Sequence, residues 1–436
     1  MSAAKMQRQR RKLAMAAIAG LVTFLLLAAA CYMTRFPTSA AHQPTPTPDP
    51  TVVEPMPPQH ACQDSPRAEG TSSPGDNLGM RHSKTDTQLP RFSRVVNVGF
   101  EDITAEDPAR IPEIARRLNS VSATGVSLSI GRLDWVAFPW PAQRDVESSE
   151  VAQTGRDYVA EAISAFRCDE QGRPRTIYLN IDTLLGRELE RRPSLAGINS
   201  EGHPSKNWAS ISAWKEDGLD TRLVELVSEA VRRYAPDGIN VTELMFPSYT
   251  FGEDDLENFA KSSELPDWPR SADGTIDSTS EQIYLWRSNA VTSIMKKVAG
   301  SLDETGPVLT MDVRSPANGD PRGRPDSGQD YGQLLNVVDR LNIWNFRGIA
   351  SSNRVSTDEL VQRYMKQEPE KYSLEIGLWE GAGSMDSSSV SKELLNAEDH
   401  SLLHVSVTPT SLMDDSIWSA LEGAWSQVPA TRPDAD

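Results

Sequence analysis

Acidic side chains recur where predicted β-strands of this chain end. Glu101, Asp182 and Asp312 lie at or near the C-terminal ends of three such strands, and Glu243 ends a fourth. A positioned carboxyl group can donate or accept a proton, or attack an electrophilic carbon. Burying one costs roughly several kcal/mol unless it is paired or functional. The set therefore indicates acid–base chemistry. A structural ion network, in which Arg314 neutralises Asp312 or Glu101, is the alternative.

The elements that carry these acids alternate regularly along the chain, because eight short β-branched runs are each followed by a segment with helical periodicity. The predicted strands are Val95–Glu101, Val126–Gly131, Thr176–Asp182, Gly238–Glu243, Val308–Arg314, Leu341–Phe346, Tyr372–Trp379 and Leu402–Thr408. The predicted helices are Pro108–Ser120, Asp157–Arg167, Asp220–Tyr234, Gln282–Leu302, Tyr331–Arg340, Thr357–Gln367, Ser388–Ala397 and Asp415–Trp425. Such alternation within residues 92–430 predicts an α/β fold with a parallel sheet closed into a (β/α)8 TIM barrel.

The predicted connections differ in length at the two ends of the barrel. Links from helix to strand are short, as in Ala235–Asp237, whereas links from strand to helix are long, as in Thr183–Leu219 and Leu244–Glu281. Elaborated loops on a rigid scaffold often form a site, and in this fold they follow the C-terminal ends of the strands. Tolerated insertions are the alternative explanation.

Side chains alternate along a strand, so every second residue of each predicted strand points into the barrel. This inward set is polar, although barrel interiors ordinarily favour Val, Ile and Leu. The predicted ligand-binding side chains, inward or at strand ends, are Glu101, Asp182, Asn240, Arg314, Trp135, Trp344, Glu375, Trp379 and His404. Barrel closure predicts one pocket at the C-terminal mouth, formed by Glu101, Asp182, Asp312, Arg314 and Trp379.

The fourth strand carries the most specific local motif, Tyr234-Ala-Pro-Asp-Gly-Ile-Asn-Val-Thr-Glu-Leu-Met-Phe246. Here the chain resembles glycoside-hydrolase barrels, in particular glycosyl-hydrolase-like families in which Asp-Gly-Ile lies at the start of this strand and acidic residues lie at its end. The resemblance implies that Glu243 is the acid/base and that Glu380, just after strand seven, is the nucleophile. Thr242 stands where many such barrels have Asn. Glu375 and Asp312 are the alternatives for the second carboxyl group.

Glycosidic cleavage needs one protonated carboxyl group and one ionised carboxylate. Aromatic faces at the strand ends, such as those of Trp135 and Trp344, suit stacking on sugar rings, although some of these side chains are expected to pack loops instead. The resemblance thus implies a hydrolase that acts on a polysaccharide, and a non-catalytic glycan-binding barrel is the alternative. The sequence contains no metal-ligand spacing, phosphate loop or dinucleotide fingerprint, so we expect no cofactor.

The first 91 residues do not resemble a folded domain. Residues 1–12 are basic, and residues 13–33 run without a charge for long enough to cross a bilayer, which predicts a single-pass anchor with the barrel outside the cytoplasm. A lipoprotein and a cleaved secretory signal are the alternatives. Residues 34–91 are rich in proline and predict a disordered linker. A disulfide between Cys62 and Cys168 is possible, but spacing does not decide it.

The net charge of −17 bears on the partners of the barrel. It argues against binding to nucleic acid or to anionic lipid, and it suits an uncharged substrate. We expect a monomeric barrel, held near the membrane only by its N-terminal segment.

Overall fold

The computed structural model describes Cys62 and residues 92–426, except for residues 305, 318–319, 349–354 and 382. All of these residues belong to one unit, Met56–Asp436. The predicted basic tail, membrane segment and, apart from Cys62, linker lie outside the described residues. Among the helices that are described, none is long and apolar enough to cross a membrane.

Eight parallel strands form the barrel. They are β1 (Ser93–Val98), β2 (Gly125–Arg132), β3 (Thr176–Asp182), β4 (Gly238–Thr242), β5 (Val308–Arg314), β6 (Arg340–Asn345), β7 (Tyr372–Gly377) and β8 (His404–Thr408). Each strand pairs in parallel with its neighbours in chain order, and β1 also pairs with β8. The sheet is therefore closed, which confirms the predicted (β/α)8 barrel.

A helix follows each strand. The helices are α1 (Arg110–Ser120), α2 (Tyr158–Phe166), α3 (Leu219–Tyr234), α4 (Glu281–Gly300), α5 (Tyr331–Leu334), α6 (Thr357–Leu360, continued by a π-helical segment Val361–Met365), α7 (Ser387–Asp399) and α8 (Asp415–Trp425). The predicted helix Tyr331–Arg340 is wrong beyond its first turn. Asn336 and the β-branched pair Val337 and Val338 are poor helix formers, so α5 ends early.

The loops after the strands contain further short elements. The helical ones are Phe100–Ile103, Pro141–Val146, Ser149–Thr154, Gly186–Arg191, Pro193–Leu195, Ile211–Glu216, Glu253–Ser263, Pro325–Ser327 and Thr410–Leu412. The extended ones are Trp135–Val136, Ala196–Ile198, Pro204–Ala209, Gly323–Arg324, Gln329–Asp330, Trp379–Glu380 and Gly383–Ser384. Most of this added structure follows β2, β3, β4 and β5 at their C-terminal ends, as the loop lengths predict.

The apolar core lies between the sheet and the helices. In β3, for example, Ile177, Leu179 and Ile181 are fully buried on the outer face. The alternate residues Tyr178 and Asn180 point inward, and Tyr178 lines a narrow polar cavity along the barrel axis. The apolar faces of the strands therefore drive packing of the helical layer, while polar side chains fill the interior.

A disulfide joins Cys62 to Cys168, with 5.8 Å between the Cα atoms. Cys168 follows α2, in the connection that leads into β3, and hence lies at the N-terminal face of the barrel. The bond connects a residue of the predicted linker to the face opposite the long loops.

Candidate active site

Glu243 lies at the C-terminal mouth of the barrel, directly after β4. Strict alternation would direct its side chain toward the helical layer, because Asn240 and Thr242 point inward. Its backbone has a φ of 61°, in the left-handed region. That conformation turns the chain at the strand end, and in a residue other than glycine it is uncommon and costs about 1–3 kcal/mol. Such strain concentrates at functional sites.

The environment of Glu243 favours the protonated carboxyl group. Burial is the main cause, and the negative charges of Asp182 and Asp312 add to it, so that the pKa of Glu243 is raised to about 8. The guanidinium groups of Arg132 and Arg314 oppose the rise. These interactions place four charged side chains, from β2, β3 and β5, around Glu243. A carboxyl group that carries its proton at neutral pH can serve as a general acid.

Asp182, the last residue of β3, is held beside Arg132, the last residue of β2. The Nε atom of Arg132 lies 2.7 Å from Oδ2 of Asp182, and the amide N–H of Leu184 donates to Oδ1 at 2.8 Å. Burial is the main cause that raises the pKa of Asp182 above its ordinary value, and the positive charge of Arg132 and these hydrogen bonds oppose the rise. The side chain of Asp182 is 22% exposed, so this ion-paired carboxylate still reaches solvent.

Sequence reasoning missed Arg132 because β2 is irregular. The register with β3 shifts between Ser129 and Gly131, which places Arg132 opposite Asp182. A bulge of this kind adds one residue to a strand and reverses the alternation beyond it. Gly131 is required there, since a Cβ atom would lie 2.3 Å from the carbonyl oxygen of Trp135. The Gly-Arg pair at a strand end was the available signal.

Asp312 lies deeper in the barrel and is surrounded by hydrogen-bond donors. Its Oδ1 atom accepts from the amides of Asn240 and Asn342, both at 2.9 Å. The side chains of Thr242 and Trp344 also form hydrogen bonds with it. Burial raises the pKa of Asp312, and these donors favour the ionised form against that effect. Asn240, predicted to bind ligand, therefore supports Asp312 from within the barrel.

Glu375, in β7, is buried and lies within electrostatic range of the same cluster. Its Oε1 atom accepts from Nδ2 of Asn97 at 2.6 Å. Burial, followed by repulsion from Asp312, raises the pKa of Glu375 well above its ordinary value. Its Oε2 atom and Oδ1 of Asn97 are buried without a hydrogen-bond partner among the described residues. The environment of Glu375, at the side of the cluster, thus favours the protonated form.

Three predicted site residues lie apart from this cluster. Strand β1 ends at Val98, and Glu101 is an exposed residue of the helix Phe100–Ile103, so its predicted inward orientation is corrected. Glu380 is exposed on a two-stranded hairpin after β7. His404 is the first residue of β8 and therefore lies at the opposite, N-terminal end of the barrel.

The environment of His404 is that of a buried structural residue. Its Nδ1 atom is 2.9 Å from Oγ of Ser93 and its Nε2 atom is 3.2 Å from Oε2 of Glu370. Burial lowers the pKa of His404 to about 4, so the ring is neutral near pH 7. The sequence pattern identified inward residues but did not distinguish the mouth from the base of the barrel.

The predicted aromatic residues divide into two groups. Trp344 and Trp379 are half-buried near the mouth and both contact Phe346, with ring centroids 5.0 Å and 5.1 Å away. Trp135 is half-buried 4.7 Å from Phe100. The loop residues Trp140, Trp214, Phe251 and Trp268 are buried in the apolar core. The first group offers partly exposed rings beside the acidic cluster, and the second packs the loops.

In the described part of the chain, no group of three or more His, Cys, Asp and Glu side chains is arranged to hold a metal ion.

Comparison with known proteins identifies the fold but no close relative. No protein-family model and no curated protein matches the sequence. The glycoside hydrolase domain of PgaB (BpsB) from Bordetella bronchiseptica is similar with a TM-score of 0.51 and 14% identity, covering 77% of this chain and 99% of that chain. The barrel has the fold of glycoside-hydrolase domains.

Two further glycoside hydrolases share this fold. The catalytic domain of β-amylase from Paenibacillus polymyxa has a TM-score of 0.55 and 12% identity, covering 77% of this chain and 98% of that chain. The β-galactosidase from Marinomonas ef1 has a TM-score of 0.54 and 11% identity, covering 77% of this chain and 59% of that chain. The resemblance drawn from the fourth strand is thus confirmed at the level of the fold.

Proposed function

We propose that this protein is a glycoside hydrolase that cleaves a polysaccharide outside the cytoplasm. The observation that carries the proposal is the environment of Glu243, which keeps its carboxyl group protonated at neutral pH next to an ion-paired carboxylate. Two carboxyl groups whose environments push their pKa values apart are the requirement of glycosidic hydrolysis.

The two carboxyl groups have separate roles in the proposed reaction. Glu243 donates its proton to the glycosidic oxygen as the bond breaks. Asp182 acts at the anomeric carbon as the carboxylate, either directly or through water, and the guanidinium group of Arg132 stabilises its negative charge. It is better suited to this role than Glu380, which lies on an exposed hairpin, or Asp312, which is only 3% exposed.

Asp312 supports Glu243 through its charge. The carboxylate is fixed from below by Asn240 and Asn342, and its negative charge helps to retain the proton on Glu243. Trp344 and Trp379, which are half-buried near the mouth, are suited to pack against the apolar faces of sugar rings.

Two further observations support the substrate class and the location. The structures that share the fold are described as a glycoside hydrolase domain, a β-amylase and a β-galactosidase. The disulfide between Cys62 and Cys168 suits an oxidising compartment outside the cytoplasm. An anchor at residues 13–33 would then hold a monomeric barrel near the membrane.

The experiment measures new reducing ends after the full-length protein is incubated with a panel of neutral, acidic and amino-sugar polysaccharides. We expect Glu243→Gln to lower turnover by about 10²–10⁴-fold, because a positioned acid contributes that much. Glu101→Gln is the matched control, since Glu101 is an exposed glutamate near the mouth that lies outside the cluster. Glycan binding without any cleavage would instead favour a non-catalytic barrel.

A further inference from the structure

Arg314, the last residue of β5, is held rigidly at the mouth of the barrel. Its backbone N–H donates to Oε1 of Gln329 at 2.9 Å, and its carbonyl oxygen accepts from the hydroxyl group of Tyr331. Gln329 is itself fixed, because its Nε2 atom donates to the carbonyl oxygen of Leu244 at 3.2 Å. The loop after β5 therefore fixes the backbone from which the Arg314 side chain extends.

The guanidinium group of Arg314 has no hydrogen-bond or ion-pair partner among the described residues, although its neighbour Arg324 does. Arg324 binds Asp326 through two nitrogens, with Nε 2.8 Å from Oδ1 and Nη2 2.7 Å from Oδ2. Asp326 is one of the two acids whose charge acts on Arg314. Both carboxylate oxygens of Asp326 are therefore engaged by Arg324, and no hydrogen bond joins Asp326 to Arg314 among the described residues.

Glu243 is the other acid near Arg314. At neutral pH it carries a proton, so it does not neutralise the guanidinium group. Burial, followed by repulsion from Arg324, lowers the pKa of Arg314. A half-buried positive charge thus lies near the proposed general acid, and no carboxylate of the described residues forms a hydrogen bond or an ion pair with it.

We infer that Arg314 binds an anionic substituent on the sugar next to the cleaved bond, so that the substrate is an acidic polysaccharide. This inference rests on the proposed function. A guanidinium group presents paired N–H donors that match carboxylate, sulfate or phosphate oxygens. Arg132 and Arg324 each pair with an aspartate, whereas the guanidinium group of Arg314 has no such pair in the part of the chain that the structure describes. It therefore provides a place for a single negative group.

The inference revises the expectation of an uncharged substrate, which came from the net charge of −17. Net charge acts at long range, and salt screens it beyond about 8 Å at physiological ionic strength. A direct contact with a half-buried guanidinium group is screened far less. The local contact therefore decides which sugar is accepted, while the overall charge slows the approach of a polyanion at low salt.

The experiment compares kcat/KM of the full-length protein for matched oligosaccharides that are neutral or bear a carboxylate, a sulfate or a phosphate group. We expect one acidic series to be preferred, and Arg314→Gln to lower kcat/KM for that series by about 10–100-fold, the loss of a charged hydrogen bond. Because Arg314 also acts on the pKa of Glu243, both series are compared at the pH optimum of each protein, and the neutral series should lose much less than the acidic one. Arg314→Lys, which keeps the charge but not the paired donors, should give an intermediate loss.

Arg324→Gln is the matched control, because it removes a neighbouring charge whose partner is already in the protein. It should change kcat/KM for acidic and neutral series by the same factor. If Arg314→Gln and Arg314→Lys also lower both series equally, Arg314 acts only through the pKa of Glu243 and the inference is overturned.

The same measurements separate this inference from the proposed function. Preferred cleavage of neutral oligosaccharides that depends on Glu243 would overturn the inference and leave the hydrolase intact. Calorimetric binding of an acidic oligosaccharide that depends on Arg314, without cleavage, would overturn the hydrolase and support the anionic site.

Discussion

The Nε atom of Arg132 lies 2.7 Å from Oδ2 of Asp182, across the C-terminal ends of two neighbouring strands. The same arginine also acts on Glu243, where the effect of the negative charges of Asp182 and Asp312 exceeds that of the guanidinium groups of Arg132 and Arg314. One carboxyl group thus has a cation beside it and the other has two carboxylates near it. The pKa of Glu243 is raised to about 8, whereas Arg132 opposes the rise in the pKa of Asp182. This asymmetry favours the proton on Glu243 and the negative charge on Asp182, which suits acid–base cleavage.

Replacement of Arg132 should move the acidic limb of the pH profile. Arg132 favours ionised Asp182, so Arg132→Gln should raise the pKa of Asp182 further and shift the acidic limb of kcat/KM to higher pH. Arg173→Gln serves as the control, because Arg173 also pairs with an aspartate, Asp169, but precedes β3 at the opposite face. An unchanged acidic limb in Arg132→Gln would remove Asp182 from the mechanism.

The alkaline limb should report Glu243. Because Glu243 must be protonated to act, activity should fall as pH rises above about 8, the pKa that burial, Asp182 and Asp312 impose on it. Asp312→Asn removes one of those negative charges, so the alkaline limb should move to lower pH by roughly 1 unit. Asp303→Asn, at an exposed position in the link before β5, should leave the limb in place.

Two outcomes of the Asp312→Asn experiment would contradict these assignments. A shift of the alkaline limb to higher pH would mean that Asp312 does not act on the proton of Glu243. A complete loss of turnover with the fold intact would instead make Asp312 the second reacting carboxylate.

The sequence predicted the barrel well because the signal repeats. Eight alternations of strand and helix agree with one another, and the apolar outer faces of the strands follow the two-residue period of the sheet. The inward residues Asn240, Asp312 and Glu375 follow from the same period. The position of Glu243 also follows from the strand, since a residue just after β4 must lie at the mouth.

Local backbone geometry limited the prediction of the site. The shift at Gly131 reverses the alternation and brings in Arg132, which a regular period cannot anticipate. The short helix Phe100–Ile103 begins two residues after Val98 and moves Glu101 to the surface. The left-handed conformation of Glu243 is likewise a property of the turn after β4, not of residue type.

Glu243 should lower the stability of the folded protein at neutral and alkaline pH. Its pKa is about 8 in the folded state and 4.5 without the fold, so the folded state binds more protons between these values and stability falls as pH rises through this window. Relative to wild type, Glu243→Gln should therefore gain free energy of unfolding, by at most about 1.4 kcal/mol per pH unit from 4.5 to 8.

Denaturant unfolding at several pH values between 4.5 and 8.5 measures this gain. Glu101→Gln is the control, and its difference from wild type should stay constant with pH, since Glu101 is exposed. A gain for Glu243→Gln that does not grow with pH would show that the folded protein does not favour the proton on Glu243.

The disulfide should contribute measurably to the stability of the barrel. Cys62 and Cys168 are 106 residues apart, and a bond that closes so long a loop restricts the unfolded chain, typically stabilising a domain by about 2–4 kcal/mol. A variant with both cysteines replaced by serine should lose that amount in denaturant unfolding, and a fragment that begins at residue 92 should lose it as well.

The wild type should become as unstable as the double variant when a reductant is added, whereas the double variant should not respond to reductant. Equal stability of wild type and double variant without reductant would show that the disulfide to the linker does not stabilise the barrel. The stable domain would then begin at residue 92, as the sequence predicts.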